Sequence, residues 1–139
     1  MNEKVDKNCT HLAGEYFVAA ELYRRGYSVG ITLGNAKAID LFAEKDGRPV
    51  NIQVKAIRNR KSVGWPLTSE KIKDKIIYIF VCLNDPDSGL HPEYFICTAD
   101  EARGKVKEYL TRGMVSYSSM KEYRDIWSKI DEALGAPGA

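Results

Sequence analysis

The stretch AIDLFAEKDGRPVNIQVKA, Ala38 to Ala56, constrains the fold more than any other part of this chain. Asp46-Gly47 is a two-residue turn signal, and runs of alternating apolar and polar residues flank it, so the stretch predicts a β-hairpin. If the turn is type I′, Lys45 faces Arg48, Asp40 falls opposite Gln53, and Ala38 falls opposite Lys55. Opposed residues share a face of the hairpin. One face then carries Ala38, Asp40, Phe42, Asn51, Gln53 and Lys55. The other carries Ile39, Leu41, Ala43, Val50, Ile52 and Val54, all apolar. A four-residue loop keeps this register, whereas a three-residue loop mixes the faces. The register sets Asp40 and Gln53 about 5 Å apart, with Lys55 diagonal to Asp40. A hairpin with a merely solvated polar face shows the same alternation, so parity alone assigns no chemistry.

The flanking segments predict a mixed α/β domain. Thr10 to Arg25 has an apolar face of Leu12, Tyr16, Ala19, Ala20 and Tyr23, with Thr10 as N-cap and Gly26 as the stop. Tyr27 to Leu33 reads as a strand, with a turn at Gly34-Asn35 leading into the hairpin. RNRKSVGWPLT is a loop, followed by a short polar turn or helix from Ser69 to Asp74. Lys75 to Leu83, KIIYIFVCL, predicts a central strand buried on both faces. Glu93 to Cys97 is a further strand. Helices are predicted over Thr98 to Leu110, opened by a Thr98-Glu101 capping box, and over Met120 to Leu134. The chain of 139 residues is expected to be a single domain, with a core over about 10–97 and C-terminal helices over about 98–134.

Composition narrows the classes of function. No apolar run reaches the roughly 20 residues of a membrane span, and the polar N-terminus lacks a signal-peptide core, so a cytoplasmic protein is expected. Cys9, Cys82 and Cys97 show no zinc-ligand spacing and are expected to be reduced thiols. The formal net charge of +2 is too small to argue for nucleic acid. From Lys55 to Lys75, however, seven basic residues stand against two acidic ones. That local excess suits either a solvated surface or a phosphate backbone.

Glu15 adds a second constraint. On a helix it shares a face with apolar Val18, Ala19 and Leu22. A carboxylate beside an apolar stripe is costly unless it finds a cation or donors. The alternative is a first-turn acid favoured by the helix dipole. Gly14 beside it permits close approach to another element. His11 and His91 are set outside the chemistry, one near a helix cap and the other in a loop. Glu15, Asp40 and Gln53 together offer three hard oxygen ligands, the set that suits Mg²⁺. Lys55 beside them could orient or deprotonate a water, or stabilise a phosphoryl group in transfer.

The segments GEYFVAAELYRRGY, AIDLFAEKDG and IQVKA resemble the PD-(D/E)XK nuclease superfamily, which includes Holliday-junction resolvases and some intron-encoded homing endonucleases. The resemblance implies a restriction-endonuclease-like αβββαβ core with a mixed sheet flanked by helices. It implies a DNA endonuclease or resolvase using Mg²⁺ or Mn²⁺. Asp40 would be the central ligand, Gln53 would hold the position of the second acid, the Val54 carbonyl would be a further ligand, and Lys55 would be the catalytic lysine. Glu15 would be an accessory ligand. Two departures stand out: Gln53 replaces the commoner Glu and removes a negative charge, and Ile39 replaces the usual Pro. Lys37, Arg58, Arg60, Lys61 and Trp65 are candidate nucleic-acid contacts, the tryptophan by stacking on a base or else as a core residue. A homo-oligomer is expected, because so small a domain meets a two-stranded target more easily as a symmetric assembly. The competing reading is an inactive relative of the same fold that binds nucleic acid or a partner protein.

Overall fold

The computed structural model describes residues 6–32 and 39–138. The elements are α1 (Lys7–Arg24), β1 (Ser28–Ile31), β2 (Leu41–Lys45), β3 (Arg48–Ile57), β4 (Gly64–Pro66), β5 (Ile76–Cys82), β6 (Glu93–Cys97), α2 (Ala99–Lys105), β7 (Val106–Glu108), β8 (Gly113–Ser116) and α3 (Ser128–Ala133). Single 3₁₀ turns cover Arg60–Ser62, Ser69–Lys71, Tyr117–Ser119 and Lys121–Tyr123.

The main sheet has the order β1-β2-β3-β5-β6. Only the β3–β5 pair is parallel; the others are antiparallel. The hairpin forms in the expected register, with Lys45 opposite Arg48 and Leu41 opposite Ile52. Asp46 and Gly47 both take positive φ, 55° and 71°, as a type I′ loop requires. β5 is the buried central strand foreseen from KIIYIFVCL, every residue from Ile76 to Cys82 being buried. Its neighbours β3 and β6 satisfy both edges, and packed layers cover both faces.

On one face α1 lies along β3 and β2, packing Val18 and Leu22 against Leu41, Ile52, Val54 and Ile79. The approach is close: a Cβ on Gly14 would stand 2.6 Å from the Ala56 Cβ, so glycine is required there. On the other face Tyr78, Phe80 and Phe95 pack against Ala102 of α2 and Val115 of β8.

Several boundaries differ from the sequence expectation. α1 begins a turn earlier than Thr10, capped by Asp6, whose carboxylate accepts the Asn8 amide at 2.8 Å. The Gly34-Asn35 turn lies outside the described residues. The Thr98-Glu101 capping box forms, but α2 ends at Lys105 and the chain continues as β7. β7, β8 and β4 make a second, three-stranded sheet that sequence pattern did not show. The expected helix from Met120 to Leu134 is reduced to a 3₁₀ turn and the six residues of α3. Both overextended helices have an apolar periodicity that suits packing on the sheet in any local conformation, so periodicity could not separate them from short strands and turns.

Candidate metal centre

The expected register breaks at Asp40. Pairing of β2 with β3 ends at Leu41, and the Asp40 amide donates to the Ile52 carbonyl at 2.9 Å instead of continuing opposite Gln53. Asp40 and Leu41 are both buried, so strict alternation is lost. The Asp40 carboxylate accepts the Val54 amide at 2.8 Å. It therefore lies at the edge of β3, where β2 has left the ladder. The N–H and C=O of a strand residue point to the same side, so the Val54 carbonyl faces that edge as well. The expected partner Ala38 lies outside the described residues.

Glu15 reaches the same place from α1. The helix starts at Lys7 and its first turn holds no acid, so the dipole does not explain this carboxylate. Glu15 is only 4% exposed and Asp40 only 7%. His11 sits between them, with Nε2 at 2.5 Å from the Glu15 carboxylate and 3.8 Å from that of Asp40. One ligand atom from each of the three lies within 4.8 Å of the others. His11 is the residue that sequence reasoning set aside. Its signal was the i, i+4 spacing to Glu15, which puts both on one helix face; the earlier helix start brings it inside α1.

The electrostatics are those of like charges held away from water. Burial pushes the Glu15 carboxyl above its ordinary range, repulsion from Asp40 adds to this, and His11 opposes it. Burial likewise raises Asp40, against the Val54 amide, His11 and Lys55. Burial lowers the Lys55 ammonium, against attraction from Asp40, while the exposed Lys71 lowers it further. Lys55 is thus electrostatically joined to Asp40. Gln53 and Lys55 are both half-buried on the β3 face that bears Tyr78 and Phe80 on β5, their register partners.

The expected nucleic-acid contacts fare differently. Trp65 is a core residue, fully buried, with its indole N–H donating to the Val81 carbonyl at 3.0 Å and Phe80 and Phe95 against its ring. It offers no stacking platform. Arg60 is held by the buried carboxylate of Glu93, which also accepts the Tyr117 hydroxyl at 3.2 Å. Arg58 pairs with Asp85 at 3.1 Å. Lys61 is exposed, and Lys37 lies outside the described residues.

The donor set fits a divalent cation. Two buried carboxylates at the β3 edge that the Val54 carbonyl faces supply hard oxygens, and among the described residues His11, Lys55 and the Val54 amide oppose their charge. No helix among the described residues is long and apolar enough to cross a membrane.

The fold is restriction-endonuclease-like: a mixed sheet with an antiparallel hairpin feeding a buried parallel strand, and helices on its faces. The chain is similar to the bacterial homing endonuclease I-Ssp6803I, with a TM-score of 0.64 at 12% identity over 92% of this chain and 95% of that one. It is also similar to Hjc, a Holliday junction resolvase from the archaeal hyperthermophile Archaeoglobus fulgidus. There the TM-score is 0.56 at 11% identity over 86% of this chain and 97% of that one. No protein-family model and no curated protein matches the sequence.

Proposed function

We propose that the chain is a Mg²⁺- or Mn²⁺-dependent DNA endonuclease or resolvase that hydrolyses phosphodiester bonds. The observation that carries this reading is the convergence of Glu15 and Asp40, two buried carboxylates from different elements, at the strand that bears Gln53 and Lys55. A purely structural domain gains nothing from such a cluster, since each buried charge costs free energy that the others only partly offset. Glu15, Asp40, Gln53 and the Val54 carbonyl would hold the cation, and His11 orients Glu15. Held by these residues, a divalent cation would supply a water of lowered pKa and charge to offset the phosphoryl group. Lys55 would face the reacting phosphate, and its lowered pKa suits it to orient the attacking water or to exchange a proton with it. The structural likenesses to a homing endonuclease and a Holliday junction resolvase support DNA as the substrate. Two strands are met most simply by a symmetric pair of copies; sedimentation that finds only monomers on DNA opposes that part.

The test is cleavage of plasmid and branched DNA with added Mg²⁺ or Mn²⁺. Lys55→Ala is expected to lose about 10²–10⁴-fold in rate while folding and binding DNA normally. Unchanged cleavage by Lys55→Ala refutes the role of that lysine. The neutral Gln53, which weakens the hold on a cation, favours the second reading of a binding module. Equal DNA binding by both proteins, with cleavage by neither, selects that second reading.

A further inference from the structure

The β7–β8 hairpin turns on Leu110 and Thr111, because the Tyr109 amide donates to the Arg112 carbonyl at 2.6 Å. Lys107 pairs with Met114 and Glu108 with Gly113, so Tyr109 lies opposite Arg112. By alternation Lys107, Tyr109 and Arg112 share one face, and Val115 on the other face is fully buried. Tyr109 is 58% exposed and Leu110 wholly exposed. Two-residue loops favour Gly, Asn or Asp. A leucine at this tip buries nothing against the described residues. Lys107 and Arg112 are exposed and make no ion pair among the described residues.

The hairpin is tied to the segment that leads into β5. The Ser69 amide donates to the Glu108 carboxylate at 2.9 Å, and the Leu67 amide to the Gly113 carbonyl at 3.1 Å. Lys55 and the hairpin stand on the same side of the main sheet, where Phe80 and Val115 share one core. Cations interleaved with an aromatic on a strand are suited to grip a nucleic-acid backbone and stack on a base. Apolar side chains at such a tip unstack base steps in proteins that kink DNA.

We propose that this hairpin is a wedge for duplex DNA, with Lys107 and Arg112 on the phosphates and Tyr109 and Leu110 entering a base step of the duplex. This rests on the nuclease reading above and adds the element that positions its substrate. The side chains concerned are exposed, so their substitution leaves the core intact. The experiment uses duplexes carrying 2-aminopurine at successive positions, titrated with the protein without divalent cation. The wild type is expected to raise the fluorescence severalfold at one or two positions. Leu110→Ser is expected to abolish the rise while binding within about threefold of the wild type. Arg112→Ala is expected to weaken binding about tenfold and to reduce the salt slope by about one. No rise at any position, or an equal rise with Leu110→Ser, overturns the wedge and leaves cleavage by the wild type untouched. Failure to bind any DNA under these conditions overturns the wedge; absence of both binding and cleavage with Mg²⁺ or Mn²⁺ added overturns the nuclease reading as well.

Discussion

Substituting Gly14 by alanine tests how closely α1 must approach β3. The new Cβ would meet the Ala56 Cβ at 2.6 Å. Carbons rest at about 3.5–4.0 Å, so helix and strand must part by about 1 Å. Both atoms are fixed to backbone, and no rotamer relieves the clash. Overpacking of this kind costs about 1–3 kcal/mol, and the better helix propensity of alanine returns up to about 1 kcal/mol. The expected net loss is about 1–2 kcal/mol, read as a lower urea midpoint at constant m-value. Glu15 is the next residue, so the shift also moves its carboxylate, and misplacement by about 1 Å can cost on the order of 10²-fold in rate. The partner substitution, Ala56→Gly, alone costs about 0.5–1 kcal/mol as a glycine in a strand. In the double variant the nearest neighbours of the new methyl are Val54 Cγ1 at 3.5 Å and Ala56 Cα at 3.9 Å, which are ordinary contacts. The two changes should therefore rescue one another by about 1–2 kcal/mol in a double-mutant cycle. Additive effects, agreeing within about 0.5 kcal/mol, refute the close approach.

Glu15→Gln should stabilise the protein at neutral pH. The folded state holds the Glu15 proton more tightly than the unfolded chain, so stability falls as pH rises from the ordinary value of 4.5 through the raised one. The variant is expected to be more stable than the wild type at neutral pH, and the gain should vanish below pH 4.5; calorimetry showing a less stable variant at neutral pH refutes the account. Added Mg²⁺ should raise the Tm of the wild type more than that of Glu15→Gln. Trp65→Ala is expected to cost about 3–5 kcal/mol through the lost core volume. DNA affinity per folded molecule should not change; a selective loss of affinity with little loss of stability restores the stacking role.

The hairpin register, the buried central strand and the close packing at Gly14 were legible because each rests on a local rule: turn chemistry, period-two alternation and a missing side chain. The second sheet was not legible. β4, β7 and β8 are three or four residues long and exist only because they pair with one another across long sequence separations. The site divided along the same line. The sequence pointed to Glu15 beside an apolar helix stripe and to Asp40, Gln53 and Lys55 on the polar face of the hairpin, but tertiary packing decided that Glu15 and Asp40 meet.

Asp40 shows this most clearly. Its identity and approximate place follow from the hairpin, but its carboxylate reaches the Val54 amide only because β2 leaves the ladder at that point. His11 joins the carboxylates only when α1 is laid against β3. Trp65 looks like a nucleic-acid contact in the linear order, and three-dimensional packing makes it a core ring. Local backbone preference is written residue by residue, so the chain alone determined its hairpin and its central strand. Which charges lose their water depends on segments far apart in sequence, and only the folded structure decided that.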